Sequence, residues 1–287
     1  KILYDELSAA TSWKIQKVDT YYKSRNPFKL IWQTITALFT TKDIIVLLSV
    51  NGMCFYFPVL YAATKVLKTR VYHDVIGGNL DRYVEKYPKF RKYLSAFQVN
   101  WVETESLKKS LELQKIFNCE VIPNFKRLNI VEPQEKEFSE PYAFCTFSRV
   151  MKEKGIEEAI DAIEEINRDA GREICRLDIF GRVDDGYQER FSQIMEHVGG
   201  SIRYMGTVPY EKSVEAIKDY CALLFPTFWD GEGFPGTIVD AFSAGLPVIA
   251  SDWNCNGEII SNKRNGLLYP SEEYNNLKTA ILWMVQH

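Results

Sequence analysis

The stretch "DGEGFPGTIVDAFSAGLPVIASD", residues 230–252, decides how the second half of this chain is interpreted. A Gly-Phe-Pro-Gly turn precedes an apolar helix, which Gly245 ends and a buried strand follows. The carboxylates of Glu232 and Asp240 lie on either side of that turn. Because an ionised carboxylate only accepts hydrogen bonds, the hydroxyls of a sugar are suitable partners. An acidic loop and a solvated helix residue would explain the same spacing.

Short apolar runs alternate with helical patterns along the whole chain. Residues 155–170 show a 3.6-residue period, with apolar side chains at Ile156, Ala159, Ile160 and Ile163. Strand-helix alternation predicts parallel α/β sheets with right-handed crossovers. The strand-like runs are "DIIVLLSV", "TRVYHDV", "QVNWVET", "CEVIPNF", "YAFCTFSRV", "CRLDIFG", "IRYMG", "CALLFPT", "LPVIASD" and "NGLLYP".

A polar, acidic segment at residues 129–141 breaks this alternation and is typical of a linker. The charge balance changes sign there: residues 1–130 hold 20 Lys and Arg against 11 Asp and Glu, whereas residues 131–287 hold 15 against 27. We therefore predict two Rossmann-like doubly wound domains facing a cleft, 1–130 and 131–287. In such sheets ligands bind beyond the carboxyl ends of the strands.

The bulk composition excludes several classes of protein. With 46% hydrophobic and 25% charged residues the chain has the composition of a globular protein, and no apolar run is long enough to span a membrane. The six cysteines show no C-x-x-C spacing, which favours reduced, buried thiols over disulfides or zinc ligands. The acidic second half argues against nucleic acid as a partner. A cytoplasmic location is expected.

Two cations follow the strand-like run that ends in "FSRV". Arg149 ends the run, and Lys154 lies just before a helix. Cations close to a helix N-terminus form a clamp for a diphosphate, although Arg and Lys are also common at strand ends on any surface. The helix that follows Pro235 adds the backbone N–H groups of Gly236, Thr237 and Ile238, which favour an anion in the adjoining loop.

The runs "FSRVMKEKG", "LDIFG", "IRYMG", "EGFPGTIVDAFSAGLPVIASD" and "NGLLYP", in this order over residues 142–270, resemble the donor domain of the retaining family-four glycosyltransferases (glycosyl transferases group 1) with the GT-B fold. The resemblance implies that Glu232 is catalytic and contacts donor-sugar hydroxyls, while Asp240 holds the ribose. It implies that Arg149 and Lys154 neutralise the diphosphate. Backbone or hydroxyl contacts to sugar and phosphate are implied for Gly233, Phe234, Gly236 and Thr237.

The sequence departs from the family pattern at two positions. Asp240 stands where the family usually has Glu, one methylene longer. Pro235 stands where the family commonly has Gly, so a donor contact from that amide is lost.

In the first half, His73 resembles the family histidine that faces the donor sugar, and a catalytic role is implied for it. A strand-end histidine bonded to a neighbouring loop is the ordinary alternative. Residues 1–19 resemble the helix and second strand that follow the family's first strand, so the acceptor-side domain looks incomplete.

The resemblance implies a retaining glycosyltransferase that uses a nucleoside-diphosphate sugar, UDP ahead of GDP. The acceptor would be a hydroxyl of a glycan or a lipid-linked molecule, in surface polysaccharide synthesis. No metal or other cofactor is expected. A non-catalytic sugar-nucleotide-binding or scaffold subunit is the alternative, and an epimerase or phosphorylase of the same fold is a further one.

Residues 21–39 mix basic and aromatic side chains. This mixture fits a segment that lies on a membrane surface at the cytoplasmic face, and it also fits an ordinary helix packed on the sheet.

Overall fold

The computed structural model describes residues 2–19, 26–127, 130–131, 137–271 and 276–287. The chain forms two compact units, Lys1–Pro123 and Asn124–His287, a division close to the one expected after residue 130. Residues 21–25 of the expected membrane-surface segment, and residues 129 and 132–136 of the expected linker, lie outside the described residues. Each unit is a parallel sheet with helices packed on it.

The first unit contains a four-stranded parallel sheet of order β1-β2-β3-β4. Its strands are β1 Asp43–Leu47, β2 Arg70–Asp74, β3 Val99–Val102 and β4 Cys119–Val121, and its described helices are α1 Ile2–Ala10, α2 Pro27–Thr40, α3 Val50–Val66, α4 Leu80–Lys86, α5 Lys89–Leu94 and α6 Glu105–Leu113.

The core of this unit lies between α3 and the sheet, where aromatic rings meet edge to face. Phe57 is fully buried, and its ring lies 4.9 Å from Phe90 and 5.3 Å from Phe97, centroid to centroid. Such edge-to-face pairs add to the stabilisation from burial. Thr104 begins α6, because its hydroxyl accepts the amide of Leu107 at 3.3 Å, an N-cap.

Helix α2 buries none of its residues. Phe28, Trp32 and Phe39 are among its strongly exposed side chains. No helix in the described part of the chain is long and apolar enough to cross a lipid bilayer.

The segment after α1 differs from expectation. A second strand was predicted within residues 1–19, but after Ala10 the described residues up to 19 form neither helix nor strand. The prediction of a strand there is wrong. That prediction rested only on the resemblance to the family. The lysines of "WKIQKVD" interrupt the apolar run that a buried strand needs.

The second unit contains a six-stranded parallel sheet of order β10-β9-β8-β5-β6-β7. Its strands are β5 Tyr142–Phe147, β6 Cys175–Phe180, β7 Ile202–Gly206, β8 Ala222–Phe225, β9 Val248–Ser251 and β10 Gly266–Tyr269. Its described α-helices are α7 Ile156–Ala170, α8 Gln188–His197, α9 Ser213–Ile217, α10 Gly236–Ser243, α11 Asn256–Ile259 and α12 Asn276–Gln286.

Strand order reverses in this sheet between β5 and β8. The chain runs from β5 outward to β6 and β7, then returns to place β8 on the other side of β5. Loops after β5 and β8 therefore diverge to opposite faces and leave a crevice at the carboxyl ends of the two strands, which is where ligands bind in doubly wound sheets.

Helices cover both faces of the second sheet, each over its own apolar cluster. One cluster contains Ile156, Ile160 and Ile163 of α7, and the other contains Ile238 and Ala241 of α10. The 3.6-residue period read in residues 155–170 thus marks the buried side of α7. All ten strand-like runs of the sequence contain a strand of the structure.

Five of the six cysteines are buried free thiols, as expected, whereas Cys54 on α3 is exposed. Burial raises the pKa of the Cys119 and Cys221 thiols to about 11. These buried groups stay protonated at neutral pH.

Gly155 is the N-cap residue just before α7, and its φ of +69° lies in the left-handed region. A Cβ added there would lie 2.0 Å from the carbonyl oxygen of Pro226, whereas one added at Gly171, φ +65°, would meet nothing within 4 Å.

We expect Gly171→Ala to lower the free energy of unfolding by about 1–2 kcal/mol, the cost of the left-handed conformation for a residue with a Cβ. Gly155→Ala should cost more, because the backbone after β8 must also move. Urea unfolding followed by tryptophan fluorescence measures both losses, and equal losses would contradict the expectation.

Candidate active site

A cleft of about 330 Å³ opens at the crevice between the ends of β5 and β8. The segment after β5 lines it with Arg149 and Lys154, and the loop after β8 lines it with Glu232. The first turns of α10 complete the lining, with Gly236 and Asp240 among its residues. The structure therefore brings six of the residues singled out from the sequence to one place in the second unit: Arg149, Lys154, Glu232, Gly236, Thr237 and Asp240.

Lys154 and Glu232 form a buried ion pair within this cleft. The Lys154 ammonium contacts Glu232 Oε2, and the two side chains are only 9% and 7% exposed. Thr227 Oγ1 donates to the same carboxylate oxygen at 3.0 Å. Trp229 covers the ammonium, with 4.6 Å from Nζ to the ring centroid. The loops after β5 and β8 are thus joined by opposite charges.

Burial lowers the pKa of Lys154, and the neighbouring Glu232 carboxylate opposes that effect. Removing an ammonium from water is unfavourable unless an opposite charge compensates it. An anion brought into the cleft would therefore gain from a cation that is already desolvated and fixed in place.

Asp240 is the most enclosed of the site carboxylates, with 2% exposure. Its Oδ2 lies 2.5 Å from Lys126 Nζ, and its Oδ1 accepts from Ser213 Oγ at 2.9 Å. Sequence reasoning missed both partners. Lys126 lies alone in "VIPNFKR", after a predicted strand, where a single lysine gives no periodic or motif signal.

Arg149 lies at the rim of the cleft. Its side chain is 59% exposed, and one guanidinium nitrogen lies 3.6 Å from Asp184 Oδ2. An exposed pair of this kind contributes little to stability. Arg149 is therefore free to reorient toward a ligand at little energetic cost.

The N-terminus of α10 lines the cleft with Gly236 and Thr237. Thr237 Oγ1 donates to the Phe147 carbonyl at 2.5 Å, and this hydrogen bond connects α10 to the end of β5. The bond uses the hydroxyl proton of Thr237. The amide of Ile238 donates to the Pro235 carbonyl at 3.0 Å, so the expectation of an available amide at Ile238 is wrong. The helix begins with a tight turn that uses this amide internally.

Gly233 and Phe234 precede this helix. Gly233 is buried, and the Phe234 carbonyl accepts from Asn124 Nδ2 at 3.1 Å. The Phe234 ring lines a separate apolar groove that includes Ile130 and Phe242. Their contacts with a donor sugar stay a prediction.

His73 belongs to the first unit and lies on β2. Its ring is fully buried, 5.2 Å from the Phe57 ring centroid, with Nδ1 3.3 Å from Asn100 Oδ1. Asn100 Nδ2 donates to the Leu94 carbonyl, so Asn100 Oδ1 is an acceptor and His73 Nδ1 donates. Burial lowers the pKa of His73 to about 4. The imidazole is neutral at pH 7, and its catalytic role stays a prediction.

The described residues contain no group of three His, Cys, Asp or Glu side chains that could hold a metal ion. Metal-independent chemistry stays a prediction.

The Lys154–Glu232 pair makes a prediction about stability. We expect Lys154→Met or Glu232→Gln alone to lower the free energy of unfolding by about 3–5 kcal/mol, because each leaves a buried group without its partner. The double variant should lose clearly less than the sum, since it leaves no unpaired charge. Urea unfolding of the four proteins measures the coupling, and strictly additive losses would show that the two groups do not interact.

His73 makes a prediction about acid stability. Its pKa falls from 6.5 to about 4 on folding, so between these values the unfolded chain binds more protons. The free energy of unfolding should therefore decrease as the pH falls from 6.5 to 4, by about 3 kcal/mol in total from this group. His73→Leu should remove that part of the slope, whereas His197→Gln, on the exposed face of α8, should not. Identical slopes for His73→Leu and the parent chain in urea titrations at several pH values would contradict this.

The family described as "Glycosyl transferases group 1" matches residues 129–287. An uncharacterized glycosyltransferase of Methanocaldococcus jannaschii is 22% identical over 193 residues, which cover 66% of this chain and 45% of that protein. The GtfA subunit of the UDP-N-acetylglucosamine–peptide N-acetylglucosaminyltransferase of Streptococcus agalactiae is 31% identical over 182 residues, 60% of this chain and 34% of that protein. The chain thus spans less than half the length of these curated relatives.

The crystal structure of Anabaena HepE in complex with UDP superposes with a TM-score of 0.69, over 90% of this chain and 72% of that one, at 13% identity. This likeness concerns the fold, and it confirms the predicted GT-B class of parallel α/β units. The family match covers more than half of the chain and all the cleft residues that follow β5 and β8. The chain therefore belongs to the glycosyl transferases group 1.

Proposed function

We propose that this chain transfers a sugar from a nucleoside-diphosphate sugar to a hydroxyl of a glycan or lipid-linked acceptor, with retention of the anomeric configuration. The observation that carries the proposal is the meeting of Arg149, Lys154 and Glu232 in one cleft, at the point where strand order reverses. Cations there suit a diphosphate, and a carboxylate beside them suits sugar hydroxyls.

The chemical step moves one group. The bond between the sugar C1 and the diphosphate oxygen breaks, C1 bonds to the acceptor oxygen, and the hydroxyl proton is released with the nucleoside diphosphate. Negative charge develops on the leaving diphosphate, and fixed cations stabilise it most effectively in a desolvated site. Lys154 has three donor hydrogens, so it can contact a phosphate oxygen while it keeps Glu232.

Glu232 is oriented by its partners. Both contacts that the described residues make with this carboxylate, from Lys154 and Thr227, fall on Oε2. Oε1 is then the oxygen that accepts from a donor-sugar hydroxyl. The residue has the catalytic role in this proposal, because its contact fixes the sugar ring relative to the leaving group.

Two relatives support UDP as the carrier. Anabaena HepE was crystallised with UDP, and the Streptococcus agalactiae relative is named for UDP-N-acetylglucosamine. A surface polysaccharide as the product rests on analogy with the family. Peripheral association with a membrane on the cytoplasmic side is supported by the exposed aromatic residues of α2.

A non-catalytic sugar-nucleotide-binding subunit is the second candidate. It is favoured by Asp240, whose two oxygens are already engaged by Lys126 and Ser213. A binding subunit would hold UDP-sugar without turning it over. Release of nucleoside diphosphate from a panel of UDP- and GDP-sugars, with and without a lipid-linked acceptor, separates the two.

The transferase proposal predicts the effect of Glu232→Ala. We expect transfer to fall by about a hundredfold or more, because a contact that orients the sugar is lost. Glu232→Gln, which keeps the shape of the side chain, should also lose most activity. The measurement is acceptor-dependent release of UDP, at a temperature where circular dichroism shows each variant folded.

Exposed Glu189 on α8 offers a matched control, and Glu189→Ala should keep full activity. Full activity of Glu232→Ala would remove Glu232 from the site. Binding of a UDP-sugar by the parent chain without turnover for any acceptor would favour the binding subunit.

A further inference from the structure

We propose that Lys126 is a third cation for the donor diphosphate, and that Asp240 positions Lys126. This inference rests on the proposed function and deepens it. It assigns a ligand contact to Lys126, which lies outside the motifs that resemble the glycosyltransferase family.

Asp240 holds the Lys126 ammonium in a buried place. The carboxylate is 2% exposed, and its two oxygens contact Lys126 Nζ at 2.5 Å and Ser213 Oγ at 2.9 Å. Separating the ammonium from this carboxylate is costly, because the buried carboxylate would then keep only a hydroxyl beside it. The pair therefore fixes the position of the Lys126 side chain.

Lys126 is the more accessible member of this pair. Both Lys126 and Asp240 line the cleft. The side chain of Lys126 is 16% exposed, whereas that of Asp240 is 2% exposed. A ligand in the cleft therefore meets the ammonium more readily than the carboxylate.

Gly236 leaves space that the end of Lys126 occupies. A Cβ built on Gly236 would lie 2.8 Å from Lys126 Cε and 3.2 Å from Nζ. The end of the lysine therefore lies directly over the first residue of α10, and Tyr210 flanks it with its ring centroid 5.4 Å from Nζ. A side chain at position 236 would require the end of Lys126 to shift.

The lining of the cleft carries an excess of positive charge. Lys126, Arg149 and Lys154 line it together with Glu232 and Asp240, so the lining has one net positive charge. Lys126 is 16% exposed, intermediate between Lys154 at 9% and Arg149 at 59%. A cation beside a helix N-terminus is repelled by the helix dipole unless an anion joins it. A diphosphate provides that anion and contacts Lys126, Lys154 and the first amides of α10 together.

The test measures binding of UDP and of uridine, which lacks the diphosphate. UDP is titrated by calorimetry, and uridine is titrated by ligand-observed NMR. For Lys126→Met we expect the Kd for UDP to rise about ten- to hundredfold, the loss of one charge-assisted hydrogen bond. The Kd for uridine should stay unchanged. Lys126→Arg, which keeps the charge, should recover most of the affinity for UDP.

Lys212→Met is the matched control. Lys212 is exposed and is adjacent in sequence to Ser213, so its loss changes the net charge equally without removing a residue from the cleft lining. Its affinity for UDP should match that of the parent chain. Equal losses for Lys126→Met and Lys212→Met would overturn the proposal, because only net charge would then matter.

The positioning role of Asp240 is tested by combining substitutions. Asp240→Asn should weaken UDP binding in the parent chain and have no further effect on UDP or uridine in the Lys126→Met background. The double variant also carries no unpaired buried charge, so it remains measurable if Lys126→Met unfolds. A loss of uridine affinity on Asp240→Asn in that background would overturn the proposal in favour of direct ribose binding.

Gly236→Ala gives an independent arm, since it displaces the Lys126 side chain and keeps its charge and the backbone amide. It should weaken UDP binding more in the parent chain than in the Lys126→Met variant. Failure of the parent chain to bind UDP or GDP would reject the proposed function itself. Binding by the parent chain that survives Lys126→Met intact would reject only the role of Lys126.

Discussion

The buried pairing of Lys154 with Glu232 joins the two segments that follow β5 and β8. Parallel strands end at one edge of the sheet, so groups far apart in the sequence meet there. Once enclosed, neither charge is tolerated without the other. The ion pair therefore holds the two loops in register and leaves a cation and a carboxylate facing the cleft. Both the local stability and the chemistry of the site depend on this one contact.

Asp240 is a second buried charge that is paired with an opposite charge. Its carboxylate lies deeper than Glu232, and Lys126 and Ser213 satisfy both of its oxygens. The carboxylate for which the family resemblance implies a ribose contact is thus part of an internal pair. In our proposal the Lys126 ammonium, a hydrogen-bond donor, is the group of this pair that meets the diphosphate.

The first unit shows how burial determines the protonation state of a residue that resemblance singled out. His73 occupies the strand position that the family pattern suggested, but its ring is enclosed by Phe57 and Phe97 and is neutral at pH 7. Its Nδ1 is fixed by Asn100, so the tautomer is determined by the neighbouring strand. A sequence shows that a histidine follows an apolar run, and it does not show which face of the strand carries it.

Sequence alone determined the parallel α/β class, the ten strands of the described residues and the α7 period, because these follow from local periodicity. An ordered set of motifs also singled out Arg149, Lys154, Glu232 and Asp240, which line one cleft. The second strand expected near the N-terminus was wrong, since resemblance there had no periodic support. Tertiary structure alone decided which cation pairs with which carboxylate, and that Lys126 enters the cleft. Those facts depend on strand order and on the space that glycine leaves at position 236. They bring together Lys154 and Glu232, 78 residues apart, and Lys126 and Asp240, 114 residues apart. Local sequence patterns contain no information over such separations.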